Sequence, residues 1–255
     1  MSAQPPADQI QPLAADQIFH FACGPELNCF TDCCRALDLA LTPYDALRLR
    51  RHLQLDSAAF LERYVVFEED QDEVFPMVYL AMVDDGRASC PFVTAAGCAV
   101  YEDRPAACRA YPMGRGLRLA AGEQGREPRE LFVLVKEPHC RGFEMDRRWD
   151  VEEWMRDQGL EPYNRASDVL LPLLRHPRIL EGWRPSPEQR ELYLQTLYQL
   201  DNFRHRLAAG EIEPSAALAT AGWPPEQETT TMTDEELLPV AVAWLKQVFN
   251  FASNR

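Results

Sequence analysis

The sequence is short of several things, and each shortage closes off a class of protein. It contains only two lysines, Lys136 and Lys246, and its formal net charge is −14. A broad nucleic-acid surface or an acidic-membrane surface needs a basic face, so neither partner is expected. No stretch approaches the roughly 18 apolar residues of a membrane span. Met1 to Gln17 holds Pro5, Pro6 and two aspartates, with no basic segment leading into an apolar run. No secretory signal is therefore expected, and a cytoplasmic location follows. The common catalytic fingerprints are missing too: G-x-S-x-G, the P-loop, H-E-x-x-H and G-x-G-x-x-G. Arginine is dense at Arg48, Arg50 and Arg51, and again at Arg104, Arg109, Arg115 and Arg118, which leaves room for a local basic patch, with codon bias as the plainer reading.

What the chain does have is cysteine. At 255 residues and 46% hydrophobic content it can bury a core without covalent staples, so its eight cysteines are not explained by small size. The first group is Cys23-x5-Cys29-x3-Cys33-Cys34 and the second is Cys90-x7-Cys98-x9-Cys108, with Cys140 following directly after His139. Cysteines scattered through a core as small hydrophobes do not crowd in this way. Disulfides suit neither a reducing compartment nor adjacent residues such as Cys33 and Cys34, which bridge each other only with strain. Metal ligation remains. Several soft thiolates in one loop pre-assemble much of a coordination sphere for zinc, copper(I) or an iron–sulfur cluster.

Spacing alone leaves the metal open. Zinc ribbons pair their ligands as C-x2-C, and the familiar ferredoxin spacings differ again. Cys29-x3-Cys33 is followed at once by Cys34, so the C-x3-C-x2-C of radical S-adenosylmethionine enzymes is not met. Both groups lie in loops bordered by Gly or Pro, at Gly24-Pro25, Cys90-Pro91 and Gly97-Cys98, which leaves backbone N–H groups free to reach sulfur. Four thiolates around zinc or an oxidised four-iron cluster leave about two negative charges. Arg35, Arg104 and Arg109 adjoin ligand candidates and are placed to offset such charge. A plain salt bridge from Arg104 or Arg109 to Glu102 is the competing reading. His139 is a weaker ligand candidate.

The pattern around these groups reads as α+β. Residues 1–19 form an expected loose arm. Thr42-Pro43-Tyr44-Asp45 is a capping-box start of a helix, and a second helix spans Ser57 to Tyr64. Strands are expected at Val65 to Glu68, Met77 to Val83, Cys98 to Tyr101, Leu117 to Ala120 and Leu131 to Lys136. The acidic run Glu68 to Glu73 reads as a solvated loop, and Gly122 to Pro128 as a hairpin loop. Pro105 opens a short helix that places Cys108 one turn in. Asp150 caps a helix ended by Gly159, and another runs from Tyr163 to Arg175. A long one opens at Ser186-Pro187, with Leu192, Leu197, Leu200 and Phe203 in one stripe. Thr233 caps a final helix reaching about Phe251, with Pro239 in its second turn. The expected organisation is an arm at 1–19, a small cysteine-rich α+β metal-binding domain at 20–180, and a helical C-terminal region at 181–255. That last region packs on the domain or on an unidentified protein partner.

The run Cys90-Pro91-Phe92-Val93, then Gly97-Cys98-Ala99-Val100-Tyr101-Glu102-Asp103-Arg104-Pro105-Ala106-Ala107-Cys108-Arg109-Ala110-Tyr111-Pro112, resembles the signature of the YkgJ-type cysteine-cluster family, with Cys33-Cys34-Arg35 matching its paired cysteines. The resemblance covers about residues 20–145. It departs in the first group, where Gly24 to Asn28 separates Cys23 from Cys29 and many members have C-x2-C. It implies zinc or iron chelation by Cys33, Cys34, Cys98 and Cys108 foremost, with Cys23, Cys29, Cys90 and Cys140 next. It also implies kinship with flagellin lysine N-methylases, which carry a four-iron cluster. That kinship favours an iron–sulfur cluster, in the 4Fe-4S form, over zinc. The other readings are a protein lysine N-methyltransferase using S-adenosylmethionine and a zinc-stabilised scaffold.

Overall fold

A computed structural model describes residues 9–69, 73–118 and 129–251. Its elements are mixed helices and short strands, an α+β architecture as the sequence pattern requires. The chain divides into two compact units, each built from two stretches: Met1–Leu39 with Met82–Pro162, and Ala40–Ala81 with Tyr163–Arg255. The expected boundaries at 19 and 180 follow the chain in order, whereas these units interleave. The segment between the two cysteine groups belongs with the helices, because its partners lie far downstream.

The first unit is a thin β layer over an aromatic core. Ile10–Leu13, Arg129–Val135 and Met113–Arg118 form an antiparallel sheet with Arg129–Val135 in the centre. Residues 10–13, expected in a loose arm, are thus a paired strand, with Ile10 opposite Val135. Phe19–His20 pairs with Arg148–Trp149. Leu13, Phe19, Phe21, Met113, Leu134, Trp149, Val151, Trp154 and Leu160 make the core. Aromatic rings supply its geometry: Phe21 meets Trp154 edge-on at 5.6 Å and Phe143 at 5.2 Å, and Trp149 meets Trp154 at 5.2 Å. Buried indole N–H groups need acceptors. Trp149 Nε1 donates to the Phe21 carbonyl and Trp154 Nε1 to the Ala110 carbonyl, each at 2.9 Å. Val151–Asp157 starts at Asp150 through a reciprocal box with Glu153, and Gly159 follows it at φ +60°, where a Cβ would strain the turn.

Two strand expectations in this unit change. Cys98 to Tyr101 is not one strand: Gly97–Cys98 pairs only with Val93–Thr94, and Tyr101–Asp103 is a single 3-10 turn. The strand expected at Leu117 begins earlier, as Met113–Arg118. Leu119, Ala120 and the loop Gly122 to Pro128 lie outside the described residues, as does the middle of the acidic run, 70–72.

The second unit is helical, with one hairpin. Pro43–His52 begins at the Thr42–Asp45 capping box and Ser57–Tyr64 at Asp56. Val65–Glu68 then pairs antiparallel with Met77–Leu80. The long helix expected from Ser186 is two, Pro187–Leu197 and Leu200–Ala208. The chain breaks at Tyr198, whose buried hydroxyl donates to the Leu41 carbonyl at 2.9 Å. Asp234–Val248, capped by Thr233 with Glu236, contributes Leu237, Leu238, Val240, Ala241 and Leu245 to the core. Ion pairs bind the early helices to the late ones, Arg50 to Asp234 at 2.7 Å and Arg51 to Glu235 at 2.5 Å, and Arg204 joins two late helices through Asp234 at 2.5 Å.

Asp201 completes that junction. Ser57 donates to its carboxylate through both its hydroxyl and its N–H, the latter at 2.9 Å. Partial burial works against the charge, but the Ser57 donors and the nearby Arg50 outweigh it and hold the Asp201 carboxyl below the usual range. A depressed carboxyl stabilises the fold above its unfolded value of about 3.9, and that contribution disappears as pH falls through the lower folded value. Ser57→Ala is therefore expected to cost about 1–2 kcal/mol at pH 7. The gap from the parent should narrow as urea melts are repeated toward pH 3.

Candidate metal centre

Loops, a 3-10 turn and one short helix of the first unit carry the cysteines, and backbone hydrogen bonds tie the loops together in two places. One tie joins the first group to the Cys140 loop. The Ala22 N–H donates to the Gly142 carbonyl at 3.1 Å, and the Arg141 N–H donates directly to Cys29 Sγ at 3.2 Å. The other joins the paired cysteines to the second group. Cys90 N–H donates to the Cys34 carbonyl at 2.8 Å, Ala36 N–H to the Ala88 carbonyl at 2.9 Å, and Arg35 bridges Ser89. Cys33 and Cys34 occupy the 3-10 turn Asp32–Cys34, and each thiol acts on the other. Thr31, Ala36 and Ala88 around this turn have φ of 68°, 50° and 47°. Left-handed backbone at residues other than glycine is strained, and such strain gathers where side chains are held for a purpose.

Three of the loops share one local geometry. The backbone N–H groups of Phe92, Val100 and Gly142 act on the sulfurs of Cys90, Cys98 and Cys140 and work against their upward shifts. In each case that N–H lies two residues after the cysteine. Such donors favour the thiolate over the thiol and steady its direction.

The surroundings push the other way. Cys23 is raised to about 11, by partial burial first and then by Cys33, Cys140 and Cys29. The residue is exposed overall, and its rise is smaller than that of half-buried Cys33, which the neighbouring Cys34 thiol pushes far up, followed by burial and by Glu137. Burial is likewise the first cause of the rise at Cys90, Cys98 and Cys140. Crowded sulfurs of this kind resist carrying bare charge together. A thiophilic cation would supply the missing positive charge, and the donor set fits such a group. Among the described residues, no three His, Cys, Asp or Glu side chains are grouped closely enough to hold an ion as they stand.

The arginines separate into roles. Arg109 is buried and does not fork onto the Glu102 carboxylate. It donates to backbone carbonyls instead: Glu102, Arg104 at 3.2 Å and Gln158 at 2.7 Å. It staples the loop that carries Cys98 and Cys108. Arg104 donates to the Tyr101 carbonyl and the Gln158 side chain, each at 2.6 Å, and lies 3.8 Å from the Tyr101 ring centroid. Its charge acts on Cys98 and on Cys108. Arg35 folds onto its own turn, donating to the Thr31 hydroxyl at 3.3 Å. His139 faces Glu137 at 3.8 Å with much of its side chain exposed. Cys108 lies in Ala106–Ala110, capped by Pro105, and is exposed.

Three positions carry no functional signal in the sequence. The Tyr111 hydroxyl is buried against Cys140 and Glu137 without a well-formed hydrogen bond to either. Glu137 also acts on Cys33 and accepts, through its carbonyl, the Cys140 N–H at 3.0 Å. Tyr111 stands in the motif with no role attached, and a lone Glu beside Pro138 gives no local signal. Gly142 is the third. A Cβ there would stand 2.4 Å from a Phe21 ring carbon and 2.9 Å from the Ala22 carbonyl oxygen. Gly142→Ala should therefore cost about 1–3 kcal/mol and push the Cys23 and Cys140 loops apart. A chemical-denaturation curve checks the cost, and a faster rate of thiol alkylation checks the loop opening.

The fold and these loops define a thiol-rich α+β unit with the chemistry of a metal-chelating domain. Residues 22–141, a little under half of the chain, match the family CxxCxxCC, described as a putative zinc- or iron-chelating domain. The matched range agrees with the 20–145 expected from the cysteine-cluster signature. The chain matches no curated protein and no solved structure. Among the described residues, no helix is long and apolar enough to cross a membrane.

Proposed function

We propose that the eight cysteines hold an iron–sulfur cluster and that the protein serves a redox, electron-transfer or metal-handling role. The observation that carries this reading is the Arg141 N–H donating directly to Cys29 Sγ, together with backbone N–H groups two residues beyond Cys90, Cys98 and Cys140 that act on their sulfurs. Iron–sulfur clusters are held by cysteine thiolates, and N–H donors to sulfur are a main means of setting their potential. Arg104 beside Cys98 supplies a positive charge against an anionic centre. Cys23, Cys29, Cys33, Cys34, Cys90, Cys98, Cys108 and Cys140 are the proposed ligand pool. A bound cluster would supply one-electron chemistry; the chain's part is to fix the sulfurs and tune their charge.

Zinc is the alternative occupant, since a thiolate set of this kind also suits it and the family description names both metals. Anaerobically purified protein separates them. Brown protein with broad visible absorption that bleaches on dithionite reduction is the expected result. Colourless protein carrying stoichiometric zinc would overturn the iron–sulfur reading and leave chelation standing.

A further inference from the structure

An open depression on the first unit, about 480 Å³ in volume, is lined by Arg147, Arg148, Trp149, Glu153, Arg156 and Asp157. None of these is a proposed metal ligand. Three guanidinium groups meet two carboxylates there, in a chain whose formal net charge is −14. The carboxylates are already engaged. Asp157 accepts from Arg147 at 3.4 Å and from the Gln158 side-chain amide at 2.8 Å. Glu153 accepts the Asp150 N–H at 3.2 Å and so closes the cap of its own helix. Arg148 stands apart, because among the described residues its guanidinium pairs with no carboxylate. Arg156 reaches Glu152 at 3.4 Å with both side chains largely exposed. Exposed pairs of that kind contribute little and yield readily to a better partner.

The frame under these arginines is fixed. The Arg147 guanidinium lies 4.1 Å from the Trp149 ring centroid, and Trp149 is itself buried, with its indole N–H held on the Phe21 carbonyl. The Arg147 carbonyl accepts the Phe21 N–H at 2.9 Å. Arg148 stands opposite His20 in the two-stranded pair, so both exposed side chains share its outer face. Held guanidinium forks match the paired oxygens of phosphate and carboxylate groups. The chain as a whole repels anions, but at physiological salt charges beyond about 8 Å are largely screened, so the local set decides. We propose that this depression binds a small organic anion bearing a phosphate or carboxylate group. Arg148 and Arg156 are its principal donors, and Arg147 is a third that exchanges Asp157 for the ligand. The volume falls within the range of small-molecule sites, roughly 300–1,000 Å³, so the ligand has an organic body beside its charge.

Phenyl phosphate and succinate separate the two sources of such a group, and both are weak competitors for thiolate-bound metal. Each is titrated calorimetrically into the full chain as purified, at low ionic strength. Saturable binding of at least one of them is expected, and the tighter of the two identifies the source. Arg148→Glu should weaken it at least about tenfold, and Arg156→Glu likewise, because each removes a charged donor. Arg184→Glu makes the same change of net charge in the other unit and should leave the affinity within about twofold. Circular dichroism checks each fold, and Arg148→Gln replaces Arg148→Glu if the latter unfolds. Failure of both anions to saturate would overturn the proposal. Equal weakening by Arg184→Glu and Arg148→Glu would overturn it too, by reducing the effect to overall charge. Neither result bears on the cysteine site.

Discussion

Cys33→Ser is expected to lower metal content to below about a tenth of the parent's, a larger loss than any other single cysteine change produces. Changes in groups that only touch ligands already cost 10–100-fold in affinity, and Cys33 lies closer to the centre than these. Its thiol contacts that of Cys34, and its charge opposes Cys23, Cys90, Cys98 and Cys140. Serine keeps the size but not the soft, ionisable donor. Elemental analysis of protein purified in parallel gives the comparison. Cys108→Ser provides the contrast, because Cys108 is exposed. Equal losses for the two variants would remove Cys33 from its central position.

Trp154→Ala is expected to cost about 3–5 kcal/mol, because it deletes a large buried side chain from a small core. The ring is buried and meets Phe19 at 5.9 Å, Phe21 at 5.6 Å and Trp149 at 5.2 Å. The substitution also leaves the Ala110 carbonyl without its donor, at the end of the short helix bearing Cys108. Because Phe21 precedes the Cys23 loop, loss of this support should reach the thiols. Faster alkylation of Cys23 and a lowered urea midpoint are the expected readouts. Trp154→Phe should keep most of the packing and lose chiefly the hydrogen bond, about 1 kcal/mol. If both variants melt with the parent, the aromatic cluster is not what holds the cysteine loops.

Elements that announce themselves locally were legible in the sequence. The boxes at Thr42–Asp45, Asp150–Glu153, Ser186–Gln189 and Thr233–Glu236 all form, since each needs only residues three apart. The stripe from Leu192 to Phe203 misled because helical periodicity continues across a break. Tyr198 turns to Leu41, a partner 157 residues away, and no window along the chain contains it. The ownership of the segment after the first cysteine group was hidden for the same reason. Arg50 and Arg51 stand in sequence only as part of an arginine-dense stretch, and they answer to Asp234 and Glu235, each 184 residues on.

The site shows the same split. The crowding of thiols and the signature around Cys98 and Cys108 are visible in sequence, and residues 22–141 match the corresponding domain family. How the cysteines group is not visible. Spacing suggests a first set of four and a second of three, whereas the backbone joins Cys29 to the Cys140 loop across 112 residues. The arginine roles also needed coordinates. Arg109 has a carboxylate neighbour in sequence at Glu102 but binds that residue's carbonyl, because a buried guanidinium takes whichever oxygens the turn presents.

Direct elemental analysis of the anaerobically purified full chain, for iron, zinc and acid-labile sulfide together, is the most direct test of a cluster-bearing centre. Iron and sulfide are expected in equal amounts and in fixed proportion to chain, with the thiols protected from alkylation until the metal is stripped. A folded chain carrying neither metal, with all eight cysteines freely alkylated, would contradict it.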